Sequence, residues 1–497
     1  MVSAPDYVAL QARLRPDHIA ARNLATDETW SYAAFDQAIA GLNAALRLSG
    51  IAAGDRITVI AKNCAELVML HLACARLGAI YVPLNWRLAA PELQALIEDA
   101  APKLQISDPA FDANTNAITL AALLDLARNT APFTTTSGAD PDQPSLILYT
   151  SGTSGKPKGV LLTERNLEAQ GRNFALLGQV TAQSVVLCDA PMFHTIGLVA
   201  NIRPALMQGG SLLISDGFVP ARTLTRLADP ALGVTHYFCV PQMAAMLRAD
   251  PSFDPTKLRR LTAIFSGGAP HAPASIAAWL HDGIPIADGF GMSETGTVSC
   301  MPIIPAAIER HAGAVGVIPP TISLRIIDEN GNEAPPGGIG EVIVCGANVT
   351  SGYWRRPAET QAALTADGWL RTGDLGRMDQ HGFLWLIDRK KDLIISGGEN
   401  IYPAEIENAL VACPGLAESA VIGVPDAQWG EVGHLFIVPL ATTPCSTESV
   451  IAYLTPRLAR YKIPKHVTLL DQLPRNNAGK LLKAALRQHL LDGHQTT

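Results

Sequence analysis

The sequence predicts an α/β protein: a large N-terminal domain of α/β subdomains plus a β-rich subdomain, followed by a small C-terminal α+β domain. Three observations support this prediction. Short apolar runs alternate with helical patterns from Arg56 to about Ile286, which is typical of α/β folds with parallel sheet. After about Gly313 the pattern becomes strand-like, and from about Asp388 helices and strands mix. We place the two domains at residues 1–390 and 391–497.

Each predicted element follows from its residue pattern. Ile57–Ile60 and Ala79–Val82 are short apolar runs and predict strands, whereas Cys64–Leu77 is longer and has helical spacing. Asn330-Gly331 is a strong turn signal between two further strands. The other predicted strands are Ser145–Tyr149, Val185–Leu187, Ser211–Ile214, Tyr237–Val240, Leu261–Phe265, Leu324–Asp328, Glu341–Cys345, Ser419–Val424 and Leu435–Pro439, and the other predicted helices are Ala404–Ala412, Glu448–Leu458 and one from Leu481.

Composition and charge exclude several classes of protein. The 497 residues are 48% hydrophobic and 17% charged, which suits a large buried core and not a disordered chain. A net charge of -7 without a basic run argues against a nucleic-acid partner. The apolar stretch Leu67–Leu84 contains His71 and Arg76, so we expect no integral membrane segment. No signal peptide is evident and the eight cysteines lack CxxC spacing, which favours a cytoplasmic protein; a homo-oligomer stays open.

A loop after the strand Ser145–Tyr149 carries the first chemical signal. Its hydroxyls can donate to phosphate oxygens, its glycines let the backbone approach an anion, and its two lysines add positive charge. It is not a Walker A loop, because Pro157 follows Lys156 where that motif needs Ser or Thr. The alternative interpretation is an ordinary solvent-exposed turn, because Ser, Thr and Gly favour turns. The candidate triphosphate-binding residues are Thr150, Ser151, Gly152, Thr153, Ser154, Gly155, Lys156 and Lys158.

At this loop the sequence begins to resemble the adenylate-forming superfamily, which contains acyl-CoA synthetases, adenylation domains of peptide synthetases and beetle luciferases. Six further segments follow in the family's order from Pro191 to Lys480, so the resemblance covers nearly the whole chain. It implies an enzyme that activates a carboxylic acid with ATP and Mg²⁺ and passes the acyl group to coenzyme A. It also implies that the C-terminal domain is a mobile lid.

The resemblance implies roles for residues in both domains. Glu294 is the implied magnesium ligand, Thr295 contacts phosphate, and Lys480 is the catalytic lysine that bridges the acid and the α-phosphate. Lys391 is the implied hinge between the two domains. Without the resemblance, the charged run around it would be interpreted as a solvent-exposed cluster. The other implied ATP contacts are Gly267, Gly268, Ala269, Asp288, Gly289, Phe290, Gly291, Met292, Ser293, the ribose ligand Asp374 and Arg389.

The acid and thiol sites are implied in the same way. His194 stands where peptide-synthetase adenylation domains carry an Asp, which argues against an amino-acid substrate, although a lone His in an apolar run is usually a core residue. The implied acyl pocket is Ile196, Val199, Phe238, Ser266, Gly291, Met292 and Val298, and the implied coenzyme A site is Ser396, Gly397, Gly398, Glu399 and Trp429, with Arg460–Lys465 as a basic stretch. This apolar pocket favours a fatty or aryl monocarboxylic acid. A dicarboxylic acid would need a cation, and Arg203 is the nearest in sequence.

The implied chemistry has two steps and no general base, because the acid is already ionised at pH 7. The carboxylate attacks the α-phosphorus, pyrophosphate leaves, and a thiol then displaces AMP. Three alternatives stay open: a ligase that loads a carrier protein in trans, a luciferase-like oxygenase, and a non-catalytic nucleotide-binding scaffold. Intact Lys156, Glu294, Asp374, Arg389 and Lys480 argue against the last.

Overall fold

The computed structural model describes residues 4–111, 117–131, 140–150, 157–269, 271–396, 399–475 and 481–493. The chain forms two compact units. The first contains Met1–Gly268, Ala277–Leu324 and Val344–Leu370, and the second contains Ala269–Ile276, Arg325–Ile343 and Arg371–Thr497. The predicted domain boundary after residue 390 stays a prediction.

The described residues form strands and helices in alternation. The strands are β1 (Ile19–Asn23), β2 (Thr29–Ser31), β3 (Arg56–Ile60), β4 (Ile80–Pro83), β5 (Leu104–Ser107), β6 (Pro144–Thr150), β7 (Lys158–Thr163), β8 (Val185–Cys188), β9 (Ser211–Ile214), β10 (His236–Cys239), β11 (Ala263–Gly267), β12 (Ile286–Met292), β13 (Gly296–Cys300), β14 (Ile322–Ile327), β15 (Gly340–Gly346), β16 (Gly352–Tyr353), β17 (Leu370–Met378), β18 (Leu384–Arg389), β19 (Ile394–Ser396), β20 (Glu399–Ile401), β21 (Leu416–Asp426), β22 (Gly430–Pro439) and β23 (His466–Leu469). The α-helices are α1 (Tyr7–Leu14), α2 (Tyr32–Leu48), α3 (Ala65–Leu77), α4 (Ala90–Ala100), α5 (Leu120–Arg128), α6 (Glu164–Leu177), α7 (Ile202–Gln208), α8 (Pro220–Ala228), α9 (Pro241–Ala249), α10 (Pro255–Leu258), α11 (Pro273–His281), α12 (Pro305–Arg310), α13 (Pro357–Ala363), α14 (Pro403–Leu410), α15 (Thr447–Leu454) and α16 (Lys483–Gly493). A short π-helix spans Ile196–Ala200.

Two mostly parallel sheets organise the first unit. One has six strands in the order β16-β7-β6-β4-β3-β5, and the other has eight in the order β13-β12-β11-β10-β8-β9-β1-β2. Strands β8 to β12 run parallel, so their carboxyl ends meet at one edge. In open α/β sheets ligands bind at that edge. The residues after β8, β11 and β12 are therefore brought together.

Local signals explain why the helices begin and end where they do. Helix α6 begins after Thr163, whose hydroxyl accepts from the Asn166 backbone N–H while the Asn166 side chain accepts from the Thr163 N–H. Helix α3 ends at Leu77, and the next residue, Gly78, has a left-handed φ of 79°, which favours glycine. The buried core of this unit is built from α2, α3 and the central strands, and it includes Tyr32, Phe35, Ile39, Leu42, Ile57, Met69, Tyr81 and Leu146.

The second unit contains a long antiparallel ladder. Strands β21 and β22 pair from Leu416 to Asp426, β19 and β20 form a hairpin, and β23 pairs parallel with β22. A separate four-stranded sheet has the order β14-β15-β17-β18. Helices α14 and α15 pack on the ladder, where Ile394, Ile406, Leu410, Val421, Leu435, Ile437, Val450 and Leu454 form a core.

The predicted fold class is confirmed, and most predicted elements match to within one or two residues. The strand predicted at Leu261–Phe265 is shifted by two residues and runs over Ala263–Gly267. The strand predicted at Leu435–Pro439 begins earlier, at Gly430. The predicted helix Glu448–Leu458 ends early, at Leu454. A search of the described helices finds none that is both long and apolar enough to cross a membrane.

Candidate active site

The predicted triphosphate loop connects two paired strands. Thr150 at the end of β6 faces Lys158 at the start of β7 in an antiparallel register. Ser151, Gly152, Thr153, Ser154, Gly155 and Lys156 lie outside the described residues. The Lys158 Nζ atom lies 5.3 Å from the ring centroid of Tyr353. The base of the loop is therefore fixed beside an aromatic residue that the sequence analysis did not select.

The same Tyr353 contacts the predicted metal ligand. Glu294 lies in the turn between β12 and β13, and its side chain is almost buried. The Tyr353 hydroxyl donates to Glu294 Oε1 at 2.9 Å. The following residue, Thr295, is fully buried. The structure thus brings Lys158 and Glu294, which are far apart in sequence, into contact with one tyrosine.

A magnesium ion that arrives with ATP fits the donor set. Glu294 offers one carboxylate, and within the described ranges no group of three or more His, Cys, Asp or Glu side chains could hold a metal ion by itself. Mg²⁺ commonly uses one or two protein carboxylates and takes its other ligands from substrate phosphates and water. A magnesium ion bound by Glu294 would neutralise negative charge on the ATP phosphates.

The β12–β13 region requires a glycine and contains a buried aspartate on β12. A Cβ atom at Gly291 would lie 2.3 Å from the Gly296 carbonyl oxygen, so only glycine fits this close approach. Burial raises the pKa of Asp288 well above its usual range, against hydrogen bonds from the Gly289 backbone and Ser266. The predicted ATP contacts Asp288, Gly289, Phe290, Gly291, Met292 and Ser293 all lie on this strand or turn, and Phe290 is buried.

His194 lies in the segment between β8 and the π-helix. Burial, and then the charge of Arg87, lower the pKa of His194 to about 4, so the imidazole is neutral at pH 7. Its Nε2 atom is buried and has no hydrogen-bond partner among the described residues. A buried polar atom without a partner is costly, which makes Nε2 available to a ligand's polar group. This geometry suits the predicted position beside the acid.

The residues predicted to line the acyl pocket differ in burial: some are partly exposed and others belong to the buried core. Ile196 and Phe238 are only partly buried, and both approach the two glycines at the end of β11. A Cβ at Gly268 would lie 3.6 Å from Ile196, and one at Gly267 would lie 3.5 Å from the Phe238 ring. Gly268 has a φ of 84°. Ala269 is exposed, whereas Val199, Ser266 and Val298 are buried in the core.

Two pocket neighbours were missed in the sequence analysis. Val240 lies 3.8 Å from a Cβ placed at Gly268, and the Phe174 ring lies 5.4 Å from that of Phe238. Val240 is the last residue of the predicted strand Tyr237–Val240, so its position was a usable signal. Phe174 comes from α6 and could be found only from the tertiary structure.

Arg203 is not free to bind a second carboxylate. Its guanidinium makes two hydrogen bonds to Glu164, at 2.7 and 2.9 Å, and a third to His71 Nε2 at 2.8 Å. All three side chains are buried. Ser145 Oγ also donates to Glu164, at 2.6 Å. The charge of Arg203 is thus already neutralised by Glu164.

In the second unit, Asp374 and Arg389 face each other. Asp374 on β17 is in register with Arg389 on β18, and Arg389 Nε lies 2.7 Å from Asp374 Oδ1. Lys391 is exposed in a 3₁₀ turn directly after β18. Asp392 is buried and accepts from Arg487 at 3.1 Å. The two residues predicted at the ribose form an ion pair, and the predicted hinge residue has an exposed side chain.

Three of the predicted coenzyme A residues are described, and they lie on or beside paired strands of the second unit: Ser396 on β19, Glu399 on β20 and Trp429 directly before β22. Ser396 pairs with Gly430, next to Trp429, whose side chain is 43% exposed. Lys465 Nζ lies 5.4 Å from the Trp429 ring. Glu399 begins β20 and is exposed, whereas Gly397, Gly398 and Lys480 lie outside the described residues. An exposed tryptophan beside a lysine suits a base with phosphates.

Comparisons with known proteins agree with this geometry. A family model described as AMP-binding enzyme matches residues 8–354, and a second, described as AMP-binding enzyme C-terminal domain, matches residues 405–480. The chain belongs to the AMP-binding enzyme family. An indoleacetate–CoA ligase from Aromatoleum aromaticum is 36% identical and covers 97% of this chain and 97% of its own. A feruloyl-CoA synthase from Amycolatopsis is also 36% identical, over 96% of this chain and 97% of its own.

A solved structure shows the same fold with ligands. The o-succinylbenzoate coenzyme A synthetase from Bacillus subtilis, in complex with ATP and magnesium ion, superposes with a TM-score of 0.88 at 31% identity, over 98% of this chain and all of that one. Family membership confirms the predicted adenylate-forming superfamily and its acyl-CoA synthetase branch. The protein is an AMP-forming acid–CoA ligase that uses ATP, Mg²⁺ and coenzyme A.

Proposed function

We propose that this ligase activates a monocarboxylic acid with an apolar body, aryl or fatty, and that the residues described above carry its two half-reactions. The observation that carries the choice of acid is the Arg203–Glu164–His71 cluster, because it removes the cation nearest the pocket in sequence. The partly exposed wall is Ile196 and Phe238 against a glycine backbone. Such a wall suits an aromatic or aliphatic body and offers no charge for a second carboxylate.

In the first half-reaction the acid carboxylate attacks the α-phosphorus of ATP and pyrophosphate leaves. The imidazole of His194, which is neutral at pH 7, would form a hydrogen bond with the acid and would not form an ion pair with its carboxylate. Lys158 and Lys480 would stabilise charge on the phosphates, and Glu294 would hold Mg²⁺. Charge stabilisation by fixed groups is the main catalytic effect in such a transfer.

In the second half-reaction the thiol of coenzyme A attacks the acyl carbonyl and AMP leaves. We propose that residues 391–497 pivot at Lys391 between the two steps, so that Lys480 is replaced by the hairpin that holds Ser396 and Glu399. Trp429 and Lys465 would receive the nucleotide of coenzyme A, since one offers a stacking face and the other a charge. Asp374 would accept from the ribose hydroxyls of ATP.

We further propose a cytoplasmic location. All eight cysteines are free, and six of them are buried, including Cys74 and Cys188. Reduced thiols are the rule in reducing compartments. Fractionation of expressing cells, with the protein followed by antibody, tests this point; recovery in a secreted or envelope fraction would contradict it.

An acid panel tests the proposed substrate class. Pyrophosphate release is measured with Mg²⁺ and ATP across aryl, fatty, dicarboxylic and amino acids, with and without coenzyme A. We expect release with aryl or fatty monocarboxylic acids and acyl-CoA formation only with coenzyme A present. Turnover restricted to dicarboxylic or amino acids would refute the proposal, and acyl transfer to a pantetheinylated carrier in preference to coenzyme A would favour a carrier-loading ligase.

Two variants sharpen the test. Phe238→Ala should raise the KM for the acid and leave the KM for ATP close to that of the wild type. Lys480→Ala should lose adenylate formation but keep thioester formation from supplied acyl-adenylate. Equal loss of both half-reactions in Lys480→Ala would overturn its assigned role.

A further inference from the structure

One short segment holds Glu294 at three points. The Asn348 side chain donates to the Thr295 carbonyl at 3.0 Å, and the Thr350 N–H donates to the Glu294 carbonyl at 2.7 Å. The third contact is the hydrogen bond from Tyr353 to Glu294 Oε1 at 2.9 Å. The first two fix the backbone of the turn. Only the third acts on the carboxylate itself.

Tyr353 is itself held by backbone contacts. Its N–H donates to Thr360 Oγ1 at 3.0 Å, and it pairs with Val160 on β7. The next residue, Trp354, donates its N–H to the Gly159 carbonyl at 2.8 Å. Tyr353 is therefore built onto the strand that leaves the triphosphate loop, and its ring lies beside Lys158. Its hydroxyl has little freedom to move away from Glu294.

We propose that Tyr353 is a positioning residue that orients the Glu294 carboxylate toward the magnesium ion of the bound nucleotide. A carboxylate that accepts one hydrogen bond on Oε1 is limited in rotation, and Oε2 is then presented to a cation. Hydrogen-bond partners of metal ligands commonly change metal affinity by about 10- to 100-fold. This inference rests on the proposed role of Glu294 as metal ligand.

Removal of the single hydroxyl tests the inference in the full-length enzyme. Tyr353→Phe keeps the ring beside Lys158 and deletes the hydrogen bond to Glu294. Tyr7→Phe is the matched control, because the Tyr7 hydroxyl donates to Glu168 Oε1 at 2.6 Å away from the site. Binding of Mn²⁺ is measured by electron paramagnetic resonance in the presence of ATP, and the Mg²⁺ dependence of adenylate formation is measured beside it.

We expect Tyr353→Phe to raise the half-saturating Mn²⁺ and Mg²⁺ concentrations about tenfold. At saturating Mg²⁺ the adenylation rate should return to within about threefold of the wild type, a split that a general loss of folding would not produce. Tyr7→Phe should change neither value. A half-saturating metal concentration within twofold of the wild type in Tyr353→Phe would overturn the proposal.

Two further variants keep the test decisive. Thr360→Val retains the tyrosine hydroxyl but removes the acceptor of the Tyr353 N–H, and we expect a smaller rise in half-saturating metal, roughly two- to threefold. Glu294→Gln should weaken metal binding more than Tyr353→Phe. If Glu294→Gln leaves Mn²⁺ binding unchanged, the assignment of Glu294 as ligand is itself wrong and the role of Tyr353 falls with it. Weak binding in Glu294→Gln with normal binding in Tyr353→Phe would refute only the role of Tyr353.

Discussion

The buried cluster of Arg203, Glu164 and His71 allows a quantitative prediction for Arg203→Met. Burial by itself would raise the pKa of Glu164, yet the charge of Arg203 and its hydrogen bonds lower that pKa to about 2. Without the guanidinium, the carboxylate would keep Ser145 as a hydrogen-bond donor but lose its counter-charge. Breaking a buried ion pair on one side costs about 3–5 kcal/mol. At about 2 °C per kcal/mol, Tm should fall by roughly 6–10 °C.

The assay is thermal unfolding of the wild type and three variants, followed by fluorescence. Glu164→Leu combined with Arg203→Met should be more stable than Arg203→Met alone, by about 1–4 kcal/mol, because both charges are gone. Arg165→Met is the control, since its ion pair with Asp142 is exposed and should contribute less than about 1 kcal/mol.

Two results would refute this reasoning. A Tm for Arg203→Met equal to that of Arg165→Met would show that the buried pair does not stabilise the fold. A folded Arg203→Met that loses turnover of one acid class, while it keeps its Tm, would show that Arg203 faces the substrate and not Glu164. At temperatures well below Tm, we expect Arg203→Met to turn over the same acids as the wild type.

Three further predictions follow from single residues. Burial and the Arg203 charge lower the pKa of His71 to about 3, so near pH 6.5 the unfolded chain binds a proton at His71 and the folded protein does not. The free energy of unfolding should therefore decrease as the pH is lowered from about 6.5 toward 3, by up to ~1.4 kcal/mol per pH unit. Urea titrations at several pH values should show a weaker dependence of this free energy on pH for His71→Gln. Gly352→Ala should lower stability by about 1–3 kcal/mol in the same titration, because φ is 133° and a Cβ would lie 2.5 Å from Thr360 Cγ2; an unchanged midpoint would contradict the close approach. Trp429→Ala should raise the KM for coenzyme A by 5-fold or more, since stacking on a base contributes about 1–3 kcal/mol. An unchanged KM would show that Trp429 does not contact coenzyme A.

The sequence by itself determined the fold class, the order of the elements and the family. Those signals are local: the loop from Thr150 to Lys158, the turn around Glu294 and the segment from Ser396 are each continuous in the chain, so residue type and spacing suffice to find them. Alternating apolar runs predicted strands for the same reason, because burial on a sheet imposes a short repeat. The roles of individual site residues stay predictions.

Only the tertiary structure decided which side chains support the site. Tyr353 reaches Glu294 across 59 positions, Arg203 reaches Glu164 across 39, and Asn166 donates to the Val349 carbonyl across 183. No local pattern marks such partners, since a lone tyrosine or arginine reads as an ordinary surface or core residue. Their pairing depends on the packing of whole strands and helices.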